Sequence, residues 1–542
     1  MKLGLGQTLV HNKMVSSSVS DPEPFIMTID TTQTGSASDT FVIPTISSGT
    51  YDYDVDWGDG STDTITTWNQ VERTHVYASS GTYQIKIYRI FSRMYFNNTG
   101  DKAKLMSIDQ WGIISWASMQ NAFYGCYNMQ GAWTDTPDLS NVTRTDLMFG
   151  SCSSLNHPMN DWDMSTIDRA TSMFNACIIF NQPLDNWNVG SVRFMISMFQ
   201  NAQTFNQNLG SWNTSSVTDM RYMFRYCHAF NNLESGSINS WDTSSNTVMN
   251  SMFENCYVFN QSIDGWNTSN VTDTTSVFKG CYIFNQPLNS WDVSSVTSMS
   301  QMFMNCYAFN QPLRNWVTSS LTNLTRTFYS CVVFNQDIGT WNVSNVTTMR
   351  QTFQNCYVFN QNIGNWNVGN VTTFWSTFEN ARAFNNGGSS DIDTWNTSSA
   401  TSLASMFYLA NAFNQPVNSW NISNVTNLSR TFSGSAFNED LSNWDVSSVT
   451  NFNNLFEGVS IFDRDIGSWD VSSGTSFTGF IDHAIQTANL DSIYNGWGSP
   501  TPKPNQTIIF AGSNYTIATS QAGRDVLTNA PNNWIITDSG GI

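Results

Sequence analysis

Residues 291–311 read WDVSSVTSMSQMFMNCYAFNQ, and residues 341–361 read WNVSNVTTMRQTFQNCYVFNQ. A looser copy starts halfway between them at Trp316, so the unit is 25 residues long. Working outward, Trp162, Trp187 and Trp212 keep this spacing, and after a four-residue slip Trp241, Trp266, Trp291, Trp316, Trp341 and Trp366 resume it. A second four-residue slip precedes Trp395, Trp420, Trp444 and Trp469, while Trp111 and Pro137 hold the equivalent places upstream. A fixed period of this length marks a repeat architecture. A unit this small cannot bury its own apolar face and must stack on its neighbours. The expected fold is a repeat solenoid.

Within a unit, Leu288, Trp291 and Val293 have the L-x-x-L-x-L spacing of a leucine-rich-repeat strand. Val296, Met299 and Phe303 are spaced for a short helix or 3₁₀ turn. Each coil is expected to be leucine-rich-repeat-like: a short parallel strand, a polar turn and a short helix. About fifteen such strands at ~4.8 Å make a rod or arc on the order of 70 Å long. Like residues then line up in columns: Trp291, Trp316, Trp341 and Trp366 in one, Phe303 and Phe353 in another. Asn310 and Asn360 are expected in an amide ladder that satisfies backbone groups of successive turns. A buried indole removes ~150–250 Å² from water, worth about 4–6 kcal/mol at ~25 cal/mol/Å² before entropy is subtracted. These positions are read as structural.

The nine cysteines, Cys306 and Cys356 among them, each sit fifteen residues after their unit's tryptophan or Pro137, where other coils carry Ala or Ser. The position wants a small side chain. Stacked Cβ atoms ~4.8 Å apart exceed the ~3.5–4.5 Å of a disulfide, so free buried thiols are expected. Neither Cys-x-x-Cys nor histidine partners are spaced for a metal.

Acidic residues outnumber basic ones 41 to 22, giving a net charge of −19. Lys279 is the only lysine between Lys104 and Lys503. A nucleic-acid-binding chain needs a basic stripe for phosphates, and none is present. The same charge opposes docking on an anionic membrane, and no apolar run is long enough for a membrane span.

Residues 25–96 do not repeat. They alternate as strands at 51–57 (YDYDVDW) and 82–87 (TYQIKI), around the turn 58–61 (GDGS) and the run 74–83 (THVYASSGTY). This segment resembles a PKD domain, an Ig-like β-sandwich, which implies an extracellular spacer or binding module. The repeats over 97–485 resemble BspA-type leucine-rich repeats of bacterial surface proteins, with the string W-[DN]-[VT]-S-x-V-T-x-M-x-x-M-F-x-x-C-x-x-F-N-Q standing at 291–311. Residues 104–112 (KLMSIDQWG) look like that family's lead-in to its first coil. Residues 1–24 read as an N-terminal tail or anchor. Residues 486–542 lose the period and read as a small α+β cap, since an exposed last coil is a sticky edge.

No nucleophile elbow, HExxH helix or phosphate loop occurs, and the five histidines are scattered. No catalytic residue is expected, and no cofactor unless Asp56, Asp59 and Asp63 gather to hold calcium. The residue after the cysteine varies, but is Tyr257, Tyr282, Tyr307 and Tyr357 in several coils. Partly exposed rings in a row can stack on sugars or bury in a protein partner. The expected function is a non-enzymatic adhesin or structural surface protein that presents an extended repeat face to cell-surface glycans or proteins. Its N-terminal region would join other virion or cell-envelope proteins. The start lacks a signal-peptide pattern, which suits a phage virion fibre or decoration protein. A bacterial cell-surface adhesin is the alternative, and a polysaccharide-degrading enzyme the remote one.

Overall fold

The computed structural model describes residues 23–499 and 501–542. The tail expected at 1–24 therefore lies, apart from Glu23 and Pro24, outside the described residues.

Alternation builds the N-terminal part. Strand β1 (Phe25–Asp30) buries Phe25, Met27 and Ile29, and β3 (Tyr51–Asp56) buries Tyr51, Tyr53 and Val55. With β4 (Thr62–Ile65), β6 (Thr82–Phe91), β7 (Leu105–Gln110) and β8 (Gln130–Gly131) they form one sheet ordered β4-β3-β6-β1-β7-β8. A second sheet pairs β2 (Thr40–Val42) with β5 (Thr74–Val76). The larger sheet does not stop near residue 96. β7 pairs antiparallel with β1, and the first coil contributes β8 in parallel. Phe25 packs 5.4 Å from Trp116, so the two cores are continuous. A buried ion pair holds this junction: the Lys104 ammonium lies 3.8 Å from Asp101 and donates to the carbonyls of Ala37 and Thr40 at 2.8 and 2.7 Å.

Along the repeats, neighbouring coils meet in parallel bridges one unit apart, such as Ser298 to Asn323, Asn323 to Thr348 and Thr348 to Thr373. These bridges fall after Val296, not on the expected strand at Leu288–Val293. The expected helix is also replaced. The N–H groups of Met299, Gln301, Phe303 and Asn305 donate to Asn323, Thr325, Thr327 and Tyr329 of the next coil, while Met302, Met304 and Cys306 bond back three residues. Gln301 and Asn305 take φ of 57° and 63°, and the other coils repeat such a pair. Left-handed residues four apart break a right-handed helix and turn every second amide toward the neighbour. The three-and-four spacing of Val296, Met299 and Phe303 comes from this chain of turns.

The core is a set of columns. Trp316 and Trp341 stack at 6.0 Å, Phe303 and Phe328 at 5.6 Å, Phe328 and Phe353 at 5.6 Å. From Trp187 to Trp469 the register indoles also donate: Trp291 to Ile263, Trp316 to Leu288 and Trp341 to Leu313, all at 3.0 Å. The Asn310 backbone N–H donates to the side chain of Asn285, Asn335 to Asn310 and Asn360 to Asn335, at 2.9–3.0 Å. All nine thiols are free and buried; those of Cys306 and Cys356 donate to the carbonyls of Phe278 and Phe328. The two four-residue insertions become paired 3₁₀ turns, Asn232–Glu234 with Ser237–Ser240 and Asn386–Gly388 with Ser390–Thr394. They leave Trp241 and Trp395 in the column.

After the last coil come α1 (Thr487–Trp497), β9 (Thr507–Ile509), α2 (Ile517–Thr528) and β10 (Ile535–Thr537), with β9 and β10 parallel. Trp497 of α1 donates to Ile466 at 3.0 Å, supplying the indole that a further coil would have provided. The open end is thus covered by a mimic of the repeat.

Candidate functional site

The variable residue after the cysteine forms an exposed edge. His228, Tyr257, Tyr282 and Tyr307 stack in sequence with ring centroids 4.4, 4.8 and 5.1 Å apart and planes within 20°. Val332 interrupts the row, and Tyr357 is faced by the Arg382 guanidinium at 4.5 Å. Parallel stacking has a chemical consequence. The ring faces inside the row are covered by one another, so the edges and hydroxyls are what solvent meets. Sugar stacking on those faces, expected from the sequence, is closed within the row. Burial lowers the pKa of His228 and raises that of Tyr257, so both stay neutral at pH 7. Beside the rings, Val258, Ile283, Val333 and Val358 are each 40–47 % exposed and extend the apolar edge.

The three aspartates of the N-terminal part do not converge on one point. Asp56 accepts from the Gly58 N–H at 3.0 Å, and Asp63 from the Trp57 indole at 2.9 Å. Asp59 accepts from Ser61 and lies 2.9 Å from His75. Burial raises the Asp59 pKa, but the Ser61 and His75 hydrogen bonds outweigh it and bring it down to about 2. Among the described residues no group of three acidic, histidine or cysteine side chains is placed to hold a metal. In this arrangement each carboxylate is engaged in its own turn or strand.

A cleft of about 640 Å³ that the sequence reading did not anticipate crosses the coils between Gln351 and Thr478. Trp375, Glu379, Tyr408, Arg430 and Asn453 project into it. Its signal was visible: Trp375 is the only tryptophan between Trp162 and Trp469 that falls outside the 25-residue register. What the spacing could not tell is that its position faces outward over small neighbours.

Coils of about 25 residues, joined by parallel bridges and by columns of like side chains, define a repeat protein. The chain belongs to the family described as Mycoplasma protein of unknown function, DUF285, whose model matches residues 117–237, 231–337, 313–390 and 385–494. Nothing among curated proteins matches the chain, and nothing among solved structures does.

Proposed function

We propose that this protein is a non-enzymatic adhesin or structural surface protein, built as a repeat solenoid of turn-made coils that docks on proteins or glycans of a cell surface. The observation that carries this reading is the exposed aromatic and aliphatic edge from His228 to Val358. A contiguous apolar strip of this kind is uncommon on a surface that stays in water and marks a place of contact. Rings held edge-outward suit a protein surface that buries them. Repetition spreads many weak contacts along the strip and gives avidity without a deep pocket. A PKD-like sandwich and the preceding tail would join the repeats to other virion or cell-envelope proteins. A virion fibre or decoration protein is the first setting, a bacterial cell surface the second.

The test is binding of the full chain to intact cells at ~0.15 M salt, where surface electrostatics is largely screened. The Tyr282→Ala/Tyr307→Ala double variant is expected to bind roughly 10-fold more weakly or worse, as for loss of a contact hot spot. Unchanged adhesion in that variant rejects the edge as the contact surface.

A further inference from the structure

We infer that the cleft between Gln351 and Thr478 is a binding subsite for a neutral hexopyranose glycan. The central element is Trp375. Register indoles from Trp187 to Trp469 donate their N–H to a carbonyl of an earlier coil. Trp375 stands outside that scheme and only half-buried, so no packing requirement of the columns explains an indole there. The guanidinium of Arg350, from the matching position of the preceding coil, lies 3.9 Å from its ring centroid and covers one face. In the following coils the matching residues shrink to Ala404, Ser429, Asn453 and Thr478. The side chains beyond the indole fall away, and its second face looks over the cleft.

That flat apolar face is bordered by groups suited to hydroxyls. Tyr408 stands on one side with Arg430 5.8 Å from its ring, and Glu379, Gln354 and Asn453 add acceptors and amide donors. A pyranose has the complementary chemistry: an apolar C–H face and a rim of hydroxyls that each donate and accept. The two charged residues of the lining, Glu379 and Arg430, are of opposite sign. The cleft therefore lacks the net positive charge that a phosphate or sulfate would require. Its volume falls in the ~300–1,000 Å³ range of small-molecule sites. The inference rests on the recognition reading and deepens it: the apolar edge supplies reach, and the cleft supplies selection among surface sugars.

The full chain is titrated with neutral gluco-, galacto- and manno-configured oligosaccharides and with sulfated and sialylated ones, by saturation-transfer NMR and calorimetry. At least one neutral sugar is expected to bind. Trp375→Ala is expected to weaken that binding roughly 10-fold or more, about one tenfold step per ~1.4 kcal/mol. Ser429→Trp, which fills the cleft while keeping Trp375, Tyr408, Glu379 and Arg430, should abolish it, while Tyr282→Ala/Tyr307→Ala should leave it unchanged. Cooperative unfolding at an unaltered midpoint shows that each variant is folded. Binding that survives both cleft variants, or that favours the anionic sugars, overturns the inference. Adhesion to cells without affinity for any neutral sugar overturns the cleft and keeps the edge; loss of adhesion and sugar binding alike overturns both.

Discussion

At the scale of single residues, the reason for tryptophan instead of phenylalanine in the main column is a hydrogen bond. The buried carbonyl of Leu288 has the Trp316 indole as its donor at 3.0 Å. Trp316→Phe preserves an aromatic ring in the stack but orphans that carbonyl, which is expected to cost about 1–3 kcal/mol. Trp316→Ala also opens a cavity and should cost about 3–5 kcal/mol. Chemical denaturation of the two variants checks the order, and equal losses would show that ring stacking alone carries the column. Burial pushes the thiols of Cys306 and Cys356 far above their ordinary value, so they are packing atoms with little thiolate character. Exposed aspartates such as Asp292 are lowered by the Ser294 hydroxyl and N–H, a turn bond that Asn342 makes equally well to Ser344 in its own coil. These acids serve the turns.

At the scale of the coil, the decisive residues are the left-handed pair. Hydrophobic spacing alone made Val296–Phe303 look helical, because turns that bond back three residues and a helix place apolar side chains at similar intervals. The distinguishing signal was the residue before the cysteine, which is Asn305, Asn355 and Asn255 in some coils and Gly280 in another. Asn and Gly are the residues that accept positive φ most readily. Asn305→Gly is therefore expected to be nearly neutral, whereas Asn305→Val should destabilise by about 1–2 kcal/mol. Equal effects of the two in urea would remove the conformational explanation. The same geometry explains the Tyr edge: coils in register bring like rings face to face, and the faces that sequence alone left free are spent on each other.

At the scale of the molecule, both ends of the repeat are covered by structure that imitates or extends it. The N-terminal sheet runs through β7 into β8, and the Lys104–Asp101 pair locks the seam. Lys104→Met leaves Asp101 buried without its cation and is expected to cost about 3–5 kcal/mol. Because the sheet is shared, the N-terminal strands and the first coils should unfold together in the wild-type chain; a separate early transition of residues 25–96 by hydrogen exchange would refute that coupling. The 25-residue period by itself determined that this chain is a repeat, which side chains stack, and that its cysteines are small buried residues, since identical neighbours one unit apart leave few other ways to bury them. The tertiary structure alone decided the turn-built coil, the sheet that crosses the junction, the separate engagement of Asp56, Asp59 and Asp63, and the cleft beside Trp375. Those depend on backbone handedness and on which neighbours lie across a coil, and neither follows from spacing along the chain.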